Sequence, residues 1–187
     1  GDVYKRQFYD EDFDSWVAPF VMGPINTRVV RRSAELLGDM YGSNFRYDEG
    51  ILTRDGPTGF LGATGIGFAT GLAMATLAAP PTRKIIKRLF PKPGEGPSEQ
   101  DQEQGFFEIE LKAKHPDDEG LDLRAIVKGD RDPGYGSTAK MIVESALALA
   151  HDDIKKGGGF WTPASVIGDQ LLQRLPLHAG VTFELVG

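Results

Sequence analysis

Two runs of strict apolar–polar alternation constrain this chain more than any other feature. Phe107, Ile109, Leu111 and Ala113 alternate with Glu108, Glu110, Lys112 and Lys114. After the polar stretch HPDDEG at 115–120, Leu121, Leu123, Ala125 and Val127 alternate with Asp122, Arg124 and Lys128. A period of two puts every apolar side chain on one face of a strand, a pattern no helix satisfies. The pair therefore predicts an antiparallel hairpin with one buried and one solvated face. A third run, Val181, Phe183 and Leu185 against Thr182 and Glu184, predicts a last strand of the same kind.

The hairpin feeds directly into GDRDPGYGSTAK at 129–140. Asp132-Pro133-Gly134-Tyr135 suits a type II turn, with proline presetting φ and Gly134 supplying φ > 0. Ser137 or Thr138 is placed to cap a following helix of Ala139, Ile142, Val143, Ala146, Leu149 and Ala150. The turn would then present Arg131 and Tyr135 beside a helix N-terminus, where free N–H groups favour an anion. Two readings stand at this level: a charged connection that caps a helix, and a functional loop. Further on, Thr162-Pro163 has the form of an N-cap followed by a first-turn proline, and Ile167, Leu171, Leu172 and Leu175 give that helix an apolar side.

Upstream, the aromatic and acidic stretch 8–22 reads as an irregular or partly helical cover, broken by Gly23-Pro24. Residues 25–37 read as a helix with Arg28, Arg31 and Arg32 clustered on it. That cluster is either a solvated face or an anion contact. Residues 41–52 read as a single strand.

From Gly56 to Thr82 the chain carries no charge. The length exceeds the roughly 20 residues needed to cross a bilayer, but glycine and alanine dominate the content. Gly59, Ala63, Gly67, Gly71, Ala75 and Ala79 recur every fourth residue, a drifting stripe of small side chains on a helix. Arg83, Lys84, Lys87 and Arg88 follow with Ile85, Ile86 and Leu89 between them, a pattern that suits a lipid surface. The other reading is a tightly packed core helix followed by a basic amphipathic one. The glycines of GATGIGF at 62–68 do not form a dinucleotide fingerprint. No buried strand precedes them, Phe68 stands where a third glycine belongs, and Arg83-Lys84 fall where an acid is required. Residues 91–104 read as a polar surface loop.

Composition narrows the function classes. A net charge of −6 argues against nucleic acid as a partner, which requires a basic surface. The absence of cysteine removes disulfides, thiolate nucleophiles and Cys-zinc sites, and it fits a reducing compartment. His115, His151 and His178 lack metal-ligand spacing. The polar opening is not a signal peptide. Residues 1–7, GDVYKRQ, look like translated adapter sequence, so the expectation is a non-native start on the C-terminal piece of a longer protein.

Four blocks then carry a family likeness: PFVMGPINTRVVRRS at 19–33, LFPKPGEGPS at 89–98, GDRDPGYGSTAKM at 129–141 and GGGFWTPASVIGDQLLQRL at 157–175. With them the chain resembles the C-terminal part of saccharopine dehydrogenase-like oxidoreductases, including the trans-acting enoyl reductase group. The resemblance implies an α+β fold: a mixed, largely antiparallel sheet with helices packed on it, beside an N-terminal Rossmann domain absent here. It implies NAD(P)H, bound mainly by that missing domain, and reduction of a lipid-linked enoyl or keto substrate. The expected partners are the protein's own Rossmann domain and a lipid-like substrate, with a membrane surface reached through 56–90. The expected location is cytoplasmic and peripheral to a membrane.

Within that frame Arg131, Tyr135 and Lys140 are the candidate catalytic groups. A reductase needs a donor for developing oxyanion charge and a proton source, and a lysine lowers a neighbouring tyrosine pKa. Asn26 and Arg28 are the candidate cofactor contacts, and no metal is expected. Two other functions remain open: a lipid-associated interaction module without chemistry, and a homodimerisation domain that uses the hairpin sheet.

Overall fold

The computed structural model describes residues 7–78 and 96–186. The expectations for 1–6, for the basic flank at 83–90 and for the loop at 91–95 lie outside the described residues. The chain divides into two compact units, Gly1–Pro93 and Gly94–Gly187. The expected α+β class holds in each. The strands form two three-stranded sheets, and every described pairing is antiparallel.

In the first unit β1 (Phe8–Asp10), β2 (Ser15–Pro19) and β3 (Gly50–Leu52) lie in that order. Tyr9 pairs with Trp16, and Ala18 with Ile51. The opening segment is thus a hairpin and not a helical cover. Its turn is held by Asp14 in the left-handed region, φ 49°, and by the Asp10 carboxylate accepting from the Asp12 amide at 2.9 Å. The expected strand over 41–52 shrinks to its last three residues. Helix α1 (Gly23–Leu37) starts at the predicted Gly-Pro break and stops at Gly38, φ 61°.

Helix α2 (Gly56–Ala78) covers the uncharged run as far as it is described. It leans on β2 through its small residues. Gly59 lies against the Arg54 carbonyl, Ala63 is fully buried, and Gly67 faces the Pro19 ring. Trp16 closes this contact edge-on to Phe60, with ring centroids 4.9 Å apart.

The second unit contains α3 (Glu99–Gln104), β4 (Phe107–Ala113), β5 (Leu123–Gly129), α4 (Gly136–His151), α5 (Pro163–Arg174) and β6 (Val181–Val186). The sheet order is β4-β5-β6. The predicted hairpin is present, with Ile109 opposite Val127 and Phe183 opposite Val127 on the other side, although Leu121, expected in the second strand, lies in a 3-10 turn before it. A π-helical turn, Leu175–Ala179, joins α5 to β6. It brings Leu175 and Ala179 onto Val181, with Phe107, Val127, Met141 and Leu171 packed around them. Burial of the apolar sheet face is confined to this end, and Leu123 and Leu185 at the far end stay exposed.

The start of α5 follows its sequence signal: Pro163 takes the first helical position and the Thr162 amide donates to Ser165 Oγ at 3.0 Å. One feature had no sequence signal. Arg174 is held by the Asp152 carboxylate through Nε at 2.8 Å and Nη2 at 2.9 Å, and by the buried Glu144 through Nη1 at 2.9 Å. The three residues tie α4, its C-terminal cap and α5 together.

Candidate functional site

Residues 129–140 leave the sheet at the end of β5 and wrap the start of α4. Gly129 sits where any Cβ would run into the Phe107 ring, so glycine is what lets β4 and β5 pair there. The next amide, Asp130, donates to the Gly180 carbonyl at 3.2 Å. The Asp130 carboxylate accepts from Lys140 Nζ at 3.0 and 3.1 Å. Gly180 is left-handed, φ 67°, and a Cβ there would strike that carboxylate. Gly180→Ala is therefore expected to lower stability by about 1–2 kcal/mol from the backbone conformation alone, and further by prising Asp130 from Lys140. A thermal melt matching the wild type would contradict this packing.

The helix start differs from the sequence expectation. Gly134 is not among the described residues with positive φ, so the turn is not type II. Instead, the Asp132 carboxylate accepts from the amides of Gly134 at 2.8 Å, Tyr135 at 3.1 Å and Gly136 at 2.7 Å. An acid that reaches these donors closes the turn without asking glycine for a left-handed backbone. Ser137 and Thr138, the expected caps, donate back to the carbonyls of Arg131 at 3.0 Å and Pro133 at 2.6 Å. The Gly136 amide is the main cause that holds the Asp132 carboxyl below its ordinary range; burial opposes it, and the Gly134 and Tyr135 amides add to the lowering. The anion that this helix end attracts is thus supplied by the chain itself.

The three catalytic candidates share this segment but point to different partners. Arg131 reaches Glu103 of α3 at 3.6 Å, and its stem packs under Gly136. Lys140 Nζ donates to both oxygens of the Asp130 carboxylate, at 3.0 and 3.1 Å. Tyr135 stands at the helix N-terminus, 55% exposed, and its ring lies against Gly96. Among the described residues its hydroxyl has no hydrogen-bond partner, so the phenol is available as a donor.

The two cofactor candidates lie in the first unit, near the start of α1. Asn26 Nδ2 donates to Glu49 Oε2 at 3.3 Å, and the Tyr47 hydroxyl donates to the same oxygen at 2.9 Å. Burial, then the Glu49 hydrogen bond, pushes the Tyr47 phenol well above its usual range. Glu49 Oε1 and Thr27 Oγ1 are buried without a hydrogen-bond partner. Sequence reasoning named Asn26 but not Thr27, Tyr47 or Glu49, since nothing local links positions 23 residues apart. Arg28 is exposed on the helix. An open depression of ≈ 460 Å³ lies further along, lined by Arg31, Ala34, Glu35, Gly38, Ser43 and Phe45 among others, and includes neither candidate. Among the described residues no group of three or more His, Asp or Glu side chains could hold a metal ion.

The class of relative follows from comparison with known proteins. Over most of its length the chain is similar to bacterial proteins named trans-acting enoyl reductases. The protein Rv2449c of Mycobacterium tuberculosis H37Rv, whose name places it in that group, is 40% identical over 175 residues, which is 90% of this chain and 41% of the relative. The trans-acting enoyl reductase of Mycobacterium ulcerans is 39% identical over 167 residues, 86% of this chain and 39% of its own length. That of Mycobacterium bovis BCG is 38% identical over 172 residues, 89% and 40% respectively. The chain spans about two-fifths of the length of these relatives. No protein-family model matches it, and no solved structure matches it.

Proposed function

We propose that this chain is the C-terminal part of an NAD(P)H-dependent oxidoreductase of the saccharopine dehydrogenase-like kind that reduces an enoyl group on a lipid-linked substrate. The similarity to proteins named trans-acting enoyl reductase, at 40% identity over 90% of the chain, is the observation that carries this reading. NAD(P)H would supply the reducing equivalents; what the protein must offer the enoyl acceptor is a donor for the negative charge on its conjugated oxygen and a proton for its α-carbon. The described residues do not themselves fit a dinucleotide. Both sheets are antiparallel, so no parallel strand–turn–helix cradle is present among them, and the Asn26 amide is already engaged by Glu49. Cofactor binding is accordingly assigned to sequence outside this chain.

What this chain contributes is the acceptor side. Tyr135 offers an exposed phenol whose hydroxyl is unpartnered among the described residues, at a helix N-terminus. A neutral donor there stabilises charge developing on a substrate oxygen and can pass on a proton. Arg131, which touches Glu103 only at 3.6 Å, is able to turn toward a substrate anion. Lys140 holds Asp130 and so positions the loop.

In the protein encoded by the full-length gene, NADPH oxidation with enoyl-thioester acceptors is the direct assay. Tyr135→Phe is expected to lower kcat about 100-fold or more, and Arg131→Ala to raise KM. Wild-type rates in both variants would remove these residues from the site, and no turnover in the wild type with any enoyl or keto lipid would remove the activity.

A further inference from the structure

Helix α4 turns its charges inward and its apolar side chains outward. Before its last residue it carries two charged side chains. Lys140 donates to Asp130, and Glu144 is buried and accepts from Arg174. The same inward side carries Ala148, fully buried, and Met141, which packs on the core around Val181. On the outward side Tyr135, Ile142 and Leu149 recur every seventh residue, drifting only about 20° per step, with Ala139 and Ala146 between them. Ile142 is 66% and Leu149 56% exposed, and both alanines are exposed. This line runs roughly 21 Å along the helix without a charge. A surface helix normally presents its charged residues to solvent, so the reversed arrangement marks a face that another surface covers.

The line is headed by the Tyr135 phenol, and this selects the occupant. The chain offers a donor for the acceptor but no cradle for the reducing cofactor, so the two halves of the proposed site belong to different parts of the protein. Reacting groups must come within about 3–3.5 Å of each other, so the part that holds the cofactor has to close over Tyr135. About three-fifths of each relative lies outside the match, which is ample chain for that part. A lipid surface or a second copy laid along the same line would cover the phenol and leave the reducing group no approach. Helix α2 is long and apolar enough to cross a bilayer and also leaves apolar side chains exposed, but it carries no group of the proposed site.

We propose that the Tyr135–Ile142–Leu149 face of α4 is the surface on which the cofactor-holding part of the full-length protein docks, completing the site at the N-terminal end of this helix. The choice of occupant rests on the reductase reading; the exposed, uncharged face does not. The pairs behind the helix, Lys140 with Asp130 and Glu144 with Arg174, hold it in place and keep from its outward face the charges that docking would have to strip of water.

The test is thiol accessibility at Ala146→Cys, and separately at Ala139→Cys, in the 187-residue chain and in the protein encoded by the full-length gene. The short chain has no cysteine of its own, and labelling is read by mass on the peptide that holds the new thiol. Both alanines are exposed, so a melt matching the wild type shows that either variant is folded. In the short chain the thiols should react as free surface thiols at every protein concentration. In the full-length protein they should react at least roughly tenfold more slowly, and a thiol-to-amine cross-linker at position 146 should join it to sequence outside the short chain. Equal rates in the two proteins overturn the proposal, as do cross-links confined to the short chain. Protection that grows with the concentration of the short chain assigns the face to a second copy, and protection that needs added phosphatidylglycerol vesicles assigns it to lipid; either result overturns the proposal. Slow labelling with cross-links to the outside sequence, in a protein that oxidises no NADPH, supports the docking surface and removes the reductase reading alone.

Discussion

Ile167→Ala is expected to cost about 2–5 kcal/mol and to lower the melting temperature of the second unit by roughly 10–30 °C. Ile167 is 1% exposed and is the largest fully buried side chain among the described residues. It sits inside α5 at a break in the helix, with φ −133° and ψ 24°. A β-branched side chain is stiff and tolerates this extended φ well. Alanine would keep the backbone hydrogen-bonding pattern but remove three carbons from a site enclosed on all sides, and a kinked helix braced by Arg174 and by the Thr162 cap has little freedom to close the void. Ile167→Val separates the two components of the effect. One missing methylene should cost only about 0.5–1.5 kcal/mol. Thermal and urea melts of the two variants give the comparison, and an alanine variant within about 1 kcal/mol of the wild type would mean that the kink is not anchored by this side chain.

The second sheet was legible because its information is local. Seven consecutive alternating residues in β4 and seven paired residues of β5 specify face and register together, since a slip of one residue would expose every apolar side chain. The starts of α1 and α5 were legible for a related reason: Gly23-Pro24 and Thr162-Pro163 are signals written in adjacent residues. The opening hairpin was not, because β1 is three residues long and its turn depends on Asp14 adopting φ 49°, which no residue pattern requires. At the candidate site the place of the loop could be read, at the exit of an alternating strand, but its internal wiring could not. Asp132 outcompeted Ser137 and Thr138 for the helix cap because its carboxylate accepts three amides at once. The Asp130–Lys140 pair spans ten residues, and its closure depends on Gly180 from another element. The uncharged run was legible as a helix with a small-residue stripe, whereas the identity of its packed side required the position of β2.

Replacing Arg174 by methionine is expected to destabilise the second unit most strongly at neutral pH, and the deficit should shrink in acid. Methionine keeps most of the volume and apolar stem, so the substitution removes charge more than packing. It leaves the Glu144 carboxylate buried without the guanidinium that now donates to it at 2.9 Å, and stranding one member of a buried pair is far more damaging than replacing both. The pH dependence follows from Asp152. Its hydrogen bonds to Arg174 come first, with burial opposing and the charges of Arg174 and His151 assisting, and together they hold its carboxyl below the ordinary value. A carboxyl whose folded pKa is depressed contributes stability that is present above its unfolded pKa, about 4, and is lost as pH falls through the lower folded value. Asp132 adds to the same window through its amide hydrogen bonds. Arg174 is shifted the other way, upward, chiefly by its hydrogen bonds to Asp152 and Glu144; its contribution is complete below the unfolded arginine value and does not titrate in the working range. Wild-type melting temperature should therefore be nearly flat from about pH 8 to pH 5 and fall below about pH 4. In Arg174→Met the Asp152 part of that fall is missing, so the two curves should approach each other in acid. Curves that stay parallel from neutral pH down to about pH 2 would show that Arg174 acts through packing alone and that its charge contributes nothing to joining α4 and α5.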